Sequence, residues 1–212
     1  VLSAVRERDG WLIRYRCEEE LIELRTQTLV NAAGPWVEHL RRRVSPIPEG
    51  RAVDLVAGAH LELKGTLERG IYYTEAPRDH RAVFCMPWKD RILLGTTERT
   101  HRAEPGQVTA TPEEQDYLLE TYAHYFSDAP EVLDSWAGLR VLPRAEGEAF
   151  HRSRETLLFR DDAQLPRYIG IYGGKLTGYR ATAERVLRAL SPVLPVRPKL
   201  ADTKTLMLPD VD

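Results

Sequence analysis

Arg140 stands in an apolar stretch, Trp136-Ala137-Gly138-Leu139-Arg140-Val141-Leu142. An arginine inside such a strand is costly to bury unless an anion meets it, so this one calls for a negative partner. Arg154 follows in His151-Arg152-Ser153-Arg154, just ahead of another apolar stretch, and Lys175 follows Tyr172-Gly173-Gly174. If Arg140, Arg154 and Lys175 converge, they form a compact clamp for a dianion such as phosphate. The arginines would make bidentate contacts and the lysine would act as a point charge. His60, in Gly58-Ala59-His60-Leu61-Glu62-Leu63, alternates with apolar neighbours as on a strand. An imidazole with an ordinary pKa near about 6.5 suits proton transfer. Plainer readings stand beside these: a solvated basic loop for Arg152 and Arg154, a surface lysine for Lys175, and a satisfied structural histidine for His60.

Tyr172-Gly173-Gly174-Lys175-Leu176-Thr177 is a strand ending in two glycines that open into a helix. Glycines let a planar ligand approach the backbone, and a helix start offers unpaired N–H groups. A reduced flavin, negative near N1 and C2=O, suits that place. A simple strand-to-helix turn is the alternative. Earlier in the chain, residues 28–34 run from an apolar strand into a small-residue turn, and Pro35 suits the first turn of a helix to about Arg43. That is a second possible dinucleotide contact. Gly95-Thr96-Thr97 offers hydroxyls at a strand end, although threonine is also simply a good strand residue.

The elements that must position these residues are legible in outline. A hairpin turn is predicted at Asp9-Gly10, with strands over 11–17 and 21–25. After the Pro-rich link Ser45-Pro46-Ile47-Pro48-Glu49-Gly50, strands are expected over 53–63, 82–88 and 91–97, the last two joined at Lys89-Asp90. Thr111-Pro112-Glu113-Glu114 is a capping box, and Tyr117, Leu118, Tyr122, Tyr125 and Phe126 give the helix behind it an apolar face. Strands return over 132–142, 156–160 and 168–172. A last helix follows from about Leu176 to Leu190, with a buried stripe expected of Leu176, Tyr179, Ala183, Val186, Leu187 and Leu190 and with Arg180, Arg185 and Arg188 outward.

Composition narrows the function classes. Of the 212 residues 42% are hydrophobic and 29% charged, the balance of a folded globular chain. Thirty Lys and Arg against 32 Asp and Glu give a net charge of -2, so no basic field favours nucleic acid. Any anion is held locally. Cys17 and Cys85 form neither a CxxC nor a Cys/His spacing, so no metal site or disulfide framework is signalled, and reduced cytoplasmic thiols are the plain reading. No apolar run reaches the roughly 20 residues of a membrane span, which leaves peripheral attachment open. The opening at Val1 reads as the middle of a domain, so a piece of a longer chain is expected.

Taken in order, LVNAAGPWV (29–37), GAHLEL (58–63), MPWKDRILLGTTE (86–98), WAGLRVLP (136–143), SRETLLF (153–159) and YGGKLTGYRATAE (172–184) resemble the blocks of the FAD-dependent, quinone-linked glycerol-3-phosphate dehydrogenases. These form a branch of the amino-acid-oxidase-like flavoproteins, and the likeness spans nearly all of residues 28–190. It implies that His60, Arg140, Arg154 and Lys175 line a glycerol-phosphate pocket, and that Gly34, Trp36, Gly173, Gly174, Leu176 and Thr177 lie beside FAD. It further implies hydride transfer from C2 of sn-glycerol 3-phosphate to flavin N5, giving dihydroxyacetone phosphate, with His60 as base and Arg140 as polariser. Electrons would pass to quinone, in a cytoplasmic protein peripheral to the inner face of the cytoplasmic membrane. Ala59 stands where serine is common in the family, Val141 where proline is usual, Glu98 for aspartate and Gly178 for a second threonine; these bear on fine positioning, because no proposed charged ligand group is lost. No GxGxxG follows an N-terminal strand, so the pyrophosphate cradle is missing from the chain, as is the family's C-terminal helical domain.

The expected fold is α+β: an antiparallel or mixed sheet with flanking helices, plus a remnant of a Rossmann-like FAD domain. The expected division is 1–43 as that remnant, 44–172 as the substrate-binding sheet domain, 173–191 as a helix returning to the FAD domain and 192–212 as an extension. The chain by itself is expected to be inactive, with FAD absent or weakly bound, while the parent is the oxidoreductase. Two other readings remain. One is an amino-acid or amine oxidase, which needs one arginine for a carboxylate; the other is a non-catalytic module binding a sugar phosphate or a partner protein.

Overall fold

The computed structural model describes residues 1–127, 130–144, 155–198 and 200–207. The fold is α+β, with mixed and antiparallel sheets and few helices. The described residues divide into two units, the first holding 1–53, 143–144 and those from 155 onward, the second those within 54–142.

In the first unit, β1 (Ser3–Glu7), β2 (Gly10–Cys17), β3 (Glu20–Thr26) and β5 (Val44–Ser45) form a sheet of order β3-β2-β1-β5. The β1–β2 turn is Arg8-Asp9, one residue ahead of the expected place. Gly10 is the first paired residue instead, and a side chain there would strike the Thr26 carbonyl oxygen at 2.1 Å. A second sheet has the order β12-β13-β4, from β4 (Leu29–Asn31), β12 (Thr156–Arg160) and β13 (Tyr168–Gly173). Its β13 and β4 run parallel, with Gly170 opposite Asn31. Ala4, Trp11, Ile13, Leu29, Val44 and Tyr168 form one core between these elements.

Two helices of this unit differ from expectation. Gly34–Trp36 is a 3-10 turn and the α-helix proper, α1, covers only Val37–Arg41. Leu176–Gly178 is likewise a 3-10 turn, and α3 spans Tyr179–Leu190. The expected stripe on α3 is too wide. Val186 and Leu190 are buried against Ile169, with Leu158, Ile171 and Ala189 packed around them, but Leu176 is 89% exposed and Tyr179 and Leu187 are also exposed. Periodicity identifies which residues share a face; of this stripe only Val186 and Leu190 are buried, in the cluster with Ile169.

The second unit is a six-stranded sheet, order β10-β6-β9-β8-β7, with β11 also on β6. Its strands are β6 (Val53–Lys64), β7 (Tyr72–Glu75), β8 (Ala82–Trp88), β9 (Arg91–Gly95), β10 (Arg99–His101) and β11 (Val132–Pro143). β9 stops at Gly95, short of the expected Thr97, and residues 96–98 leave the ladder. Leu61, Leu63, Val83, Cys85, Ile92 and Leu94 pack with Leu118 and Tyr122 of α2 (Pro112–Tyr125). Because side chains alternate along a strand, burying Leu61 and Leu63 toward α2 turns Gly58, His60 and Glu62 to the other face.

Candidate functional site

That other face of the second unit carries two of the residues singled out by sequence. His60 stacks on the indole of Trp136, with ring centroids 4.3 Å apart and planes within 13°. Among the described residues, its Nδ1 is the buried side-chain polar atom that has no hydrogen-bond partner. Burial, and next the positive charge of Arg140, hold the imidazole below its ordinary pKa of 6.5, with the Gly58 backbone opposing both. His60 is therefore neutral near pH 7, the state in which an imidazole accepts a proton.

Arg140 is 28% exposed and finds an internal anion: its Nη1 lies 3.3 Å from Glu98 Oε2, and its Nη2 donates to the Thr97 carbonyl at 3.2 Å. Glu98, only 7% exposed, also accepts from Arg81 Nη2 at 2.6 Å. The cost of placing an arginine in this strand is thus offset in part from within the fold. One carboxylate thus holds two guanidinium groups, those of Arg81 and Arg140. Gly58 leaves room for the arrangement, since an added side chain would meet Thr96 Oγ1 at 2.4 Å and Arg140 Nη2 at 3.4 Å.

The segment that presents Glu98 is anchored from α2. Thr111 and Glu114 close the expected capping box, with Glu114 N donating to Thr111 Oγ1 at 3.3 Å and Thr111 N to Glu114 Oε2 at 3.1 Å. The same buried Glu114 accepts from Thr97 Oγ1 at 2.6 Å, and Thr97 Oγ1 in turn accepts from Ala59 N at 2.9 Å. A helix cap therefore also fixes the loop beside Arg140 and His60, a role invisible to local pattern.

The first unit carries the glycine turns. β4 and β13 are parallel neighbours, so the turn after Asn31 and the turn after Tyr172 leave from the same end of the sheet, the place where ligands meet open α/β sheets. Gly34 has φ +53°, and a side chain there would meet nothing within 4 Å among the described residues. Gly173 (φ +69°) and Gly174 (φ +93°) are required by conformation, and added side chains would approach Glu155 O to 2.9 Å and Thr156 Oγ1 to 2.6 Å. Trp36 and Leu176 are exposed beside these turns, and Lys175 and Thr177 are exposed as well. The open backbone at Gly34, with Trp36 exposed beside it and Leu176 exposed beside the Gly173-Gly174 turn, fits a planar cofactor such as a flavin.

Side chains to which sequence reasoning gave no role hold the turns in place. Asn31 is fully buried; its Nδ2 donates to Val37 O at 2.8 Å and to Tyr168 Oη at 3.1 Å, while its Oδ1 accepts from Ala33 N at 3.3 Å. Tyr172 donates to Glu38 Oε1 at 2.6 Å, and Glu38 pairs with Arg41 at 2.8 Å. Burial tends to raise the Glu38 carboxyl, but the hydrogen bonds from Arg41 and Tyr172 outweigh it and hold the group below its ordinary 4.5. Burial, then the Glu38 bond, raises the Tyr172 phenol. An asparagine just before a small-residue turn was the available signal for Asn31. Asn31→Ala is expected to lower chain stability by about 2 kcal/mol, because buried groups on Val37 and Tyr168 lose their partner; urea unfolding measures this.

Of the expected pocket residues, His60 and Arg140 come together in the second unit. Lys175 belongs to the first, and Arg154 lies outside the described residues. Gly34, Trp36, Gly173, Gly174, Leu176 and Thr177 all fall on the two turns of the first unit. No helix among the described residues is long and apolar enough to cross a membrane.

Residues 1–182 match the family described as DAO, FAD dependent oxidoreductase. The chain is 32% identical over 199 residues to glycerol-3-phosphate dehydrogenase of Pseudomonas aeruginosa, covering 90% of this chain and 39% of that protein. It is 30% identical over 202 residues to D-erythritol 1-phosphate dehydrogenase of Brucella abortus, covering 92% and 40% respectively. Among solved structures it is similar to the glycerol-3-phosphate dehydrogenase from Bacillus halodurans complexed with FAD, with TM-score 0.72 and 27% identity over 90% of this chain and 37% of that one. The chain thus spans about two fifths of the length of these curated relatives.

Proposed function

The chain belongs to the FAD dependent oxidoreductase family, and on that premise we propose that it is the substrate-side portion of an enzyme oxidising glycerol 3-phosphate to dihydroxyacetone phosphate. The observation that carries this reading is a neutral, half-buried histidine beside an arginine on one sheet face, His60 and Arg140. Similarity to the Pseudomonas and Bacillus dehydrogenases supports the substrate class.

FAD, when bound, would supply the two-electron acceptor for the hydride that leaves C2 of the substrate. Gly34, Trp36, Gly173, Gly174, Leu176 and Thr177 are the residues that would hold it. The proton of the C2 hydroxyl goes to His60, whose neutral state leaves a ring nitrogen free to accept it. Arg140 polarises the oxygen as it becomes a carbonyl and attracts the phosphate, for which Arg154 and Lys175 are the further cationic ligands. The first unit thus carries the residues that would hold the flavin, and the second carries His60 and Arg140. Quinone is the onward acceptor, the whole protein attaches peripherally to the inner face of the cytoplasmic membrane, and the 212 residues alone are inactive.

Anaerobic mixing of the FAD-loaded enzyme with glycerol 3-phosphate should bleach the flavin's visible absorbance. Bleaching by a neutral amino acid but by no polyol phosphate would sink the reading. A second reading, oxidation of a four-carbon polyol phosphate, is favoured by similarity to the Brucella enzyme and by open space beside Gly138 among the described residues.

A further inference from the structure

We propose that Gly138 sets the length of polyol phosphate that the enzyme accepts, by leaving space for the carbon chain between Trp136 and Arg140. The inference rests on the functional reading above and concerns only the second unit. On β11, alternation puts Trp136, Gly138 and Arg140 on one face. Trp136 touches His60 of β6, while the Arg140 guanidinium reaches toward Gly58. Rising numbers on one strand thus meet falling numbers on the other, as antiparallel strands require, and Gly138 lies between the two contacts.

Three glycines surround this cluster, and two are explained by packing. A side chain at Gly58 would strike Thr96 Oγ1, and one at Gly95 would come within 2.4 Å of His60 Cδ2. Gly138 differs. At this exposed position a Cβ would meet nothing within 4 Å among the described residues, and its φ lies outside the left-handed range that favours glycine. Among the described residues no packing contact requires glycine at this place, and glycine gives up strand propensity there. A strand glycine with neither a packing nor a conformational reason marks a close approach by something else.

What borders the gap says what that something is. Trp136 is 41% exposed with one face against His60, so its free surface is a hydrophobic flank for carbon atoms. On the other side stands Arg140, held by Glu98 and Thr97 and suited to an anionic oxygen. A short chain of carbons ending in phosphate matches an apolar flank at one end and a cation at the other.

The test compares wild type, Gly138→Ala and Gly138→Val in the FAD-loaded enzyme. KM is measured for glycerol 3-phosphate and for a four-carbon polyol phosphate, inhibition is measured with inorganic phosphate, and thermal unfolding is followed in parallel. Gly138→Val should keep or raise the melting temperature, raise KM for glycerol 3-phosphate by about tenfold or more, and raise it further for the four-carbon substrate. Inhibition by inorganic phosphate should stay unchanged, since it occupies only the cationic end. Gly138→Ala should weaken the four-carbon substrate more than glycerol 3-phosphate, and it carries the comparison if the valine variant does not fold. Unchanged KM values in folded variants, or equal weakening of inorganic phosphate, would overturn the proposal while leaving the functional reading intact. If wild type oxidises neither polyol phosphate, the functional reading falls and this inference falls with it.

Discussion

Arg140→Ala is expected to reduce kcat/KM for glycerol 3-phosphate by about 10²–10³-fold, the range for removing one member of a desolvated charge pair. The guanidinium is only partly exposed, and Glu98 and the Thr97 carbonyl fix its direction, so its loss removes a charge that solvent does not replace. Arg140→Lys should recover little, because an ammonium cannot satisfy Glu98 and a phosphate or developing oxyanion with the same fork geometry. The structural cost should be small. Glu98 keeps its 2.6 Å bond to Arg81, so the variant should unfold within about 1 kcal/mol of wild type. Steady-state kinetics with urea unfolding on the same preparations separate the two effects; a folded Arg140→Ala enzyme with unaltered kcat/KM would remove Arg140 from the site.

His60→Gln should lower kcat by about 10²–10⁴-fold with a smaller effect on KM, as expected when a general base is lost. The pH profile gives an independent check. The pKa of His60 is depressed chiefly by burial and secondly by Arg140, so the acid limb of wild-type kcat/KM should fall below pH 6.5, and it should vanish in the variant. Stability follows the same titration. The folded chain holds this proton more weakly than the unfolded chain, so between the lowered folded pKa and 6.5 the unfolded state carries more protons. Stability therefore rises with pH through that window and is complete above it, and this part of the acid sensitivity should disappear in His60→Gln. A wild-type acid limb centred above 6.5 would contradict the depressed pKa.

Local chemistry explains which parts of the fold were legible in sequence. The α2 capping box and the Lys89-Asp90 turn depend on residues within three or four positions, and both formed as written. The strand character of β6, β8 and β12 followed from their β-branched and apolar content. Partners distant in sequence were not legible. Arg140 in an apolar strand signalled an anion, but only the fold reveals that Glu98, 42 residues earlier, already provides one. Asn31 and Tyr168 are likewise 137 positions apart and meet at 3.1 Å because β4 and β13 are parallel neighbours. On α3, spacing could rank the apolar residues by face, but it carried no information on how far the sheet beneath them extends.

The Tyr172–Glu38–Arg41 chain joins the end of β13 to the body of α1. Both glycine turns of the first unit are therefore tied to one rigid brace, and neither can shift without disturbing it. A ligand gripping either turn would suppress opening of the other, so occupancy and local folding become linked through mass action. Amides of Ala33 and of Gly174 should accordingly gain protection from hydrogen exchange together, in one cooperative step.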